Sequence, residues 1–341
     1  MTIETAAALP APAADTAAGV TYRLYRGLEE LEGMAGANHR LRRHVGLMEP
    51  IDLESMTHRY THLVNSDPLT DCVIAEHDAR TVGYCRVEWH NLTDGDRILD
   101  LTALVEPAAW GLGISDAFIA WAEARLAQIA PGIPGERRSW YATYVFDGDD
   151  ELRDALERHG YGPVRWDAEM LRETMDDLPA IPPLPDGYEI RPMPLDRAPA
   201  VGEMMIEAFR EHWGEHEDGD DEIADWLENP RFDAALVSVV WHGEEPASVV
   251  SAQVQDHADG SSIAYIDAVA THPAHRRLGL ARAALADSLH RLAAQGQTRA
   301  YLGVDTDNHN RAFALYEAAG FHKVSGSTSY RKPFDRQEPT P

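Results

Sequence analysis

The chain has 341 residues, enough for two ordinary domains, and 44% of them are hydrophobic. Its 57 acidic residues against 30 basic ones give a formal charge of −27, which argues against nucleic acid as a partner, because phosphates would be repelled, and leaves room for a cationic substrate such as an amine. No run of about 18 apolar residues is present, so no membrane span is expected, and the only two cysteines, Cys72 and Cys85, form no CxxC pair and are too few for a disulfide scaffold, which points to a reducing cytoplasm.

Residues 1–19 are rich in Ala, Pro and Thr, without a basic start or an apolar core, and read as a disordered leader. The first strand-like phrase, Tyr22-Arg-Leu-Tyr-Arg, opens a segment taken as residues 20–175. Its first helical region holds four histidines, His39, His44, His58 and His62, which read as surface and packing residues. A strand-to-helix turn follows at Pro107-Ala-Ala-Trp-Gly-Leu-Gly-Ile-Ser115, and a helix end at Leu156-Glu-Arg-His-Gly-Tyr161. Residues 176–187 carry four prolines in twelve positions, cannot continue a helix or a sheet interior, and read as a linker.

A second strand phrase, Tyr188-Glu-Ile-Arg-Pro, opens the segment taken as residues 188–335. Residues 198–209 have helical spacing. Residues 234–241, 249–254 and 263–270 read as strands. A long Ala/Leu helix over 281–294 is ended by Gly296, residues 300–304 form a buried strand, and a helix over 311–319 is closed by Gly320. The two segments repeat one plan. Gly113 and Gly279 stand 166 apart, and Gly160 and Gly320 stand 160 apart, so two matches recur in the same order with one modest loop difference. The fold class expected is α/β, with a mixed sheet in each half.

The chemistry concentrates in Asp267-Ala-Val-Ala-Thr-His-Pro-Ala-His-Arg-Arg-Leu-Gly-Leu-Ala281. A strand ends, a turn carries Arg276 and Gly279, and a helix begins. Backbone N–H groups in such a turn converge, and the helix N-terminus adds unpaired donors, so a pyrophosphate fits there. Gly279 allows close approach and Ala281 keeps the first helical turn small.

This stretch resembles the strand 4, Gln/Arg-x-x-Gly-x-Gly/Ala loop and helix 3 of the GCN5-related N-acetyltransferase (GNAT) family. Asn308-His-Asn-Arg-Ala-Phe-Ala-Leu-Tyr-Glu-Ala-Ala-Gly-Phe321 is similar to that family's second signature. The resemblance covers 188–335 well and 22–175 more weakly. It implies two tandem GNAT folds, each a mixed, mostly antiparallel central sheet flanked by helices. It also implies transfer of an acetyl group from acetyl-CoA to an amine of a small molecule by direct attack, without a metal.

The same resemblance implies roles. Tyr316 stands where the family places its acid. Asp267 is offered as base, or as the carboxylate that holds a water or a substrate ammonium, because Tyr265 occupies the position, eleven residues before Arg276, at which many members carry Glu. Val269, Ala270 and Thr271 would supply the oxyanion donor and line the cofactor arm. Arg276, Arg277, Leu278, Gly279, Leu280, Ala281 and Arg282 would hold the pyrophosphate, and Asn308 or Asn310 would meet the pantetheine. The acidic, aromatic stretch 207–222 suits a cationic acceptor, and His212 and His216 within it read as polar helix-end residues. In the N-terminal half, Trp110 and Leu156 replace the loop Gln/Arg and the tyrosine, while Gly111, Gly113 and Ser115 keep a possible nest. That half is expected to be non-catalytic. A non-enzymatic acyl-CoA-binding or sensing protein is the competing reading, and a homodimer is compatible with either.

Overall fold

The computed structural model describes residues 8–15, 19–47, 53–217, 219–256, 262–307 and 312–334. Their elements, in chain order, begin with β1 (Val20–Leu24), α1 (Leu31–His44), α2 (Leu53–Thr61), α3 (Pro68–Asp71), β2 (Cys72–His77), β3 (Arg80–Asn91) and β4 (Arg97–Val105). Next come α4 (Ile114–Ile129), β5 (Ser139–Phe146), α5 (Asp150–Arg158) and β6 (Gly162–Arg172). The second half adds β7 (Tyr188–Arg191), α6 (Ala198–Phe209), α7 (Gly219–Glu228), β8 (Ser238–His242), β9 (Glu245–Asp256) and β10 (Ser262–Thr271). It closes with α8 (Leu280–Ala294), β11 (Ala300–Asp305), α9 (Ala312–Ala318) and β12 (His322–Pro333). The expected strand over 234–241 is shorter, because Asp233 caps a 3-10 turn over Ala234–Leu236 by accepting from the Ala235 N–H at 2.8 Å. Helix α7 was not anticipated.

The chain forms two compact units. Their limits differ from the expected ranges 20–175 and 188–335. One unit is Met1–Trp166 together with Ser327–Pro341, and the other is Asp167–Gly326. Each half therefore gives its last strand to the other unit. In the first unit, β1 to β5 are joined by residues 327–333, which pair antiparallel with β5 from Ser327↔Phe146 to Pro333↔Trp140. In the second, β7 to β11 are joined by residues 167–172, which pair antiparallel with β11 from Asp167↔Asp305 to Arg172↔Ala300. Sequence periodicity reports that a segment is a strand, not which neighbour it joins, so this exchange was invisible beforehand.

The Pro-rich segment has no helix or strand, as its prolines require. It is nonetheless anchored to the second unit. Arg172 donates to Asp177 at 2.9 Å on its carbonyl and 2.7 Å on its carboxylate, and Leu178 and Leu184 pack on the core built around α8.

Within each unit the sheet is covered on both faces. In the first, α4 packs over Val87, Leu99, Leu101 and Val105 through Phe118, Ile119 and Leu126, while α1 packs over Ile74, Tyr84 and Leu104 through Met34, Ala37 and Leu41. In the second, α8 covers Val250, Ala264 and Ile266 through Leu285 and Leu289, and α6 covers Val239, Val249 and Ala270 through Val201 and Met204. The period of 3.6 in the helices meets the period of 2 in the strands, which is why alternate strand residues divide between two cores. Both cysteines are buried and unpaired with each other, raised in pKa by burial, and serve as apolar packing.

Candidate active site

The functional geometry begins where the sheet of the second unit opens. Strand β10 pairs in parallel with β11 only from Ala264↔Ala300 to Ile266↔Leu302. On its other edge β10 stays paired with β9 to Thr271↔Ser248. The β11-facing backbone groups of residues 267–271 therefore leave the ladder, and an extended chain can enter there and take hydrogen bonds in place of a strand. This opening includes Val269, Ala270 and Thr271, the residues assigned to the oxyanion and the cofactor arm. Part of the opening is already satisfied from within. Arg276 Nε donates to the Thr271 carbonyl at 3.3 Å, while on the edge paired with β9 Ser248 Oγ donates to the Ala270 carbonyl at 2.9 Å.

Asp267 sits at the fork itself. The register of β10 against β9 shifts between Ile266 and Ala268, so Asp267 is the extra residue of a β-bulge. Buried Ala264, Ile266, Ala268 and Ala270 alternate with the more open Tyr265, Asp267, Val269 and Thr271. The Asp267 side chain is exposed, yet desolvation pushes its carboxyl up to about 6, against the opposing pull of its own backbone N–H and of Ser251. Exposure and desolvation pull in opposite directions. A cleft mouth reconciles them, since it admits a ligand while protein displaces much of the bulk water. Ser251 Oγ donates to Asp267 Oδ2 at 3.2 Å, and Trp226 Nε1 of α7 donates to Ser251 Oγ at 3.3 Å. Neither Ser251 nor Trp226 was foreseen, because their link to Asp267 crosses two strands and a helix. Tyr265 reaches toward β11, where its hydroxyl oxygen lies 3.5 Å from the Cβ position at Gly303.

Tyr316 lies on α9, 6% exposed, and burial pushes its phenol up to about 12. Among the described residues its hydroxyl makes no hydrogen bond. Its backbone carbonyl accepts from the Ala319 and Phe321 N–H groups at 3.0 Å each, which fixes the turn at Gly320. Asn308 and Asn310 lie outside the described residues.

The loop after β10 has the shape the pyrophosphate argument requires. Arg277 and Gly279 both take left-handed backbone conformations, with φ of 66° and 80°. Gly279 is the N-cap of α8, with no side chain capping the first turn and open space where a Cβ would stand. The helix donors are thus free for an anion. Leu278, Arg277 and Arg282 face solvent, Leu280 is buried, and Ala281 is half-buried. Arg276 departs from its assigned role. Its guanidinium spans the Thr271 carbonyl, Glu211 Oε2 at 3.0 Å and the Ala208 carbonyl at 3.0 Å, so it ties the loop to the end of α6. The acidity of 207–222 is likewise partly used up, by the Arg276–Glu211 contact and by Arg210 on Glu207 at 2.8 Å. His212 faces the buried Asp305 at the end of β11, 3.9 Å away.

Residues 198–321 match the family model described as the acetyltransferase (GNAT) family. That match lies wholly within the C-terminal half of the chain. Two curated mycothiol acetyltransferases are related. That of Catenulispora acidiphila is 29% identical over 182 residues, 51% of this chain and 56% of that protein. That of Streptomyces scabiei is 31% identical over 189 residues, 55% and 60% of the two chains. The chain thus matches little more than half the length of these relatives. Among solved structures, a GCN5-related N-acetyltransferase from Sphaerobacter thermophilus superposes with a TM-score of 0.70 at 21% identity, covering 92% of this chain and 95% of that one. A tandem GNAT protein from the clavulanic acid biosynthesis pathway gives 0.68 at 15% identity, covering 92% and 98%. At such identities these two show the fold, and the fold is a GNAT fold repeated in tandem.

The first unit repeats the GNAT framework with other side chains. Strand β4 leaves β5 after Asp100↔Ala142, and Gly111 and Gly113 hold φ of 78° and 74° ahead of α4. Ser115, assigned to ligand contact, is 1% exposed and its hydroxyl has no partner, so its side chain faces protein. Leu156, at the position of Tyr316, is fully buried in the core. The four histidines do not gather: His39 is exposed, His44 meets Trp110 edge-on at 4.9 Å, and His58 and His62 lie together at 4.2 Å on α2 and its end.

Proposed function

We propose that the second unit is an acetyl-CoA-dependent N-acetyltransferase acting on an amine of a small molecule. The observation that carries the reading is the strand fork at Ile266, with an accessible carboxyl at its apex, an uncapped left-handed loop beyond it and a buried tyrosine of raised pKa in the same unit. The residues present fit the co-substrate: the loop N–H groups suit its pyrophosphate, and the unpaired edge of 267–271 suits its amide-bearing arm. Bound there, acetyl-CoA would supply a thioester carbonyl.

The amine must be neutral to attack. Asp267 is its proton acceptor, directly or through a water, and burial has brought that carboxyl closer to neutrality than an ordinary aspartate. As the C–N bond forms and the C–S bond breaks, an N–H in the fork steadies the carbonyl oxygen. Tyr316 returns a proton to the departing sulfur, and its raised pKa keeps that proton in place until the thiolate appears. A water-accessible carboxyl at Asp267 favours a cationic acceptor. The first unit, with Leu156 in place of the tyrosine, supports the other without turning over. The sequence similarity to mycothiol acetyltransferases makes the acceptor of those enzymes one worth assaying first.

The test is Tyr316→Phe, assayed by release of free CoA thiol. Turnover should fall by about 10²-fold or more while CoA affinity stays within about twofold. An unchanged rate removes Tyr316 as the acid, and a protein that binds acetyl-CoA but never releases thiol favours the sensing alternative.

A further inference from the structure

The first unit contains a cavity of about 510 Å³, lined by Arg40, Arg43 and His44 from the last turns of α1 and by Glu106, Pro107 and Ala108 from the loop after β4. We propose that this cavity is a binding site for a phosphate-bearing small molecule.

Its charge is built from the inside. Glu106 has no exposed surface and is held by Arg40 and by Arg80, whose Nη1 donates to Oε2 at 2.8 Å. Two guanidinium groups on one carboxylate leave a positive charge in excess. Arg43 adds a second: it is exposed and has no carboxylate partner among the described residues. His44 lies edge-on to Trp110 beside them. A net positive recess is conspicuous in a chain of charge −27.

The same corner of the second unit shows what the alternative looks like. The 3-10 turn and helix that open each unit, Leu28–Glu30 with α1 and Leu195–Arg197 with α6, align with Arg40 opposite Glu207, Arg43 opposite Arg210 and His44 opposite Glu211. Glu106 aligns with His272, since each donates its N–H to the strand before it, to Val82 at 2.8 Å and to Ala247 at 3.0 Å. Three of the four positions differ in charge. In the second unit the corner receives the Arg276 guanidinium, which Glu211 and the Ala208 carbonyl hold. In the first unit Trp110 stands for Arg276. Its ring N–H takes over the backbone bond, donating to Val105 at 3.1 Å as Arg276 donates to Thr271 at 3.3 Å, and no guanidinium enters. One unit fills the corner with its own cation; the other leaves it open and lines it with cations.

An oxyanion of two charges matches that lining. Guanidinium groups bind phosphate oxygens through paired donors, and Pro107 and Ala108 offer an apolar flank to the organic part. The phosphate could belong to a phosphorylated metabolite or to the 3′-phosphate of a nucleotide cofactor in the neighbouring loop.

The measurement is titration of the full chain with inorganic phosphate at low salt, followed by ¹⁵N shifts of the arginine Nε–H groups. Saturable shifts are expected at Arg43 and Arg40, and Arg43→Gln should weaken binding about tenfold, equivalent to about 1.4 kcal/mol. Arg210→Gln, the matching change in the other unit, should leave the affinity as it was. Retention of phosphate under saturating CoA would assign the site to a separate metabolite. Displacement by CoA but not by dephospho-CoA would assign it to the cofactor's 3′-phosphate. Either upholds a phosphate site. The absence of saturable shifts in the wild type, or equal weakening by the two glutamine variants, would overturn it.

Discussion

The two units share backbone conformations more closely than side chains. Gly111 and Arg277 occupy equivalent left-handed positions, as do Gly113 and Gly279, and both parallel strand pairs part company after three or four residues. At the same places Leu156 faces Tyr316, Trp110 faces Arg276 and Glu106 faces His272. A left-handed loop ahead of a helix is thus specified by backbone angles and helix position, whereas the side chains around it can be replaced without disturbing the framework. The Trp110 substitution is instructive, because an indole and a guanidinium satisfy the same strand-end carbonyl.

The comparison can be broken most forcefully at Glu106. Glu106→Gln leaves Arg40 and Arg80 around a neutral amide, and should cost about 2 kcal/mol in denaturant unfolding of the first unit. His272→Gln, at the matching and more open position, should change stability by less than about 0.5 kcal/mol. Equal costs would mean that the buried ion cluster is no more structural than its counterpart.

A smaller effect sharpens the catalytic side. The Asp267 carboxyl should titrate near 6 by ¹³C NMR, and activity with an acceptor that does not itself ionise in that range should rise with pH through the same midpoint. Ser251→Ala removes a hydrogen bond that favours the ionised form, so both midpoints should move upward. The sign for stability is opposite to that for activity. Asp267 binds its proton more tightly folded than unfolded, where an aspartate titrates near ~3.9, so its contribution to stability falls as pH rises from about 4 to about 6. A midpoint near 4 that ignores Ser251 would remove the desolvated base.

The smallest effect concerns strain. A non-glycine residue in the left-handed region costs roughly 1 kcal/mol, so Arg277→Gly should be neutral or stabilising by up to about 1 kcal/mol in thermal unfolding. Gly111→Arg should cost about as much in the opposite sense. If Arg277→Gly destabilises instead, the side chain of Arg277 makes a contribution that its exposed position does not reveal.

Much of this was legible in the sequence for identifiable reasons. The turn at Gly279, the helix after it and the repeat at Gly113 were readable because a positive φ and an uncapped helix start leave a glycine signature. The strand carrying Asp267 was readable from its apolar alternation. The bulge that places Asp267 at the fork was not, since one extra residue in a ladder changes no composition. Nor could the sequence say that Arg276 turns inward: the same residue suits a phosphate or a carboxylate equally well, and the choice depends on Glu211, 65 positions away. The cationic recess escaped for a related reason. Arg40, Arg43 and His44 read as an ordinary basic helix end until Glu106 and Trp110 are seen beside them.

The exchange of terminal strands ties the biosynthesis of one unit to the completion of the other. Residues 327–333, which finish the sheet of the first unit, are made about 180 residues after β5, which waits with an open edge in the meantime. Cutting the gene at the Pro-rich segment would deliver a first half lacking its final strand and a second half with a strand to spare. Such fragments should associate when co-expressed and precipitate when expressed singly, which makes the molecule indivisible despite its repeated plan.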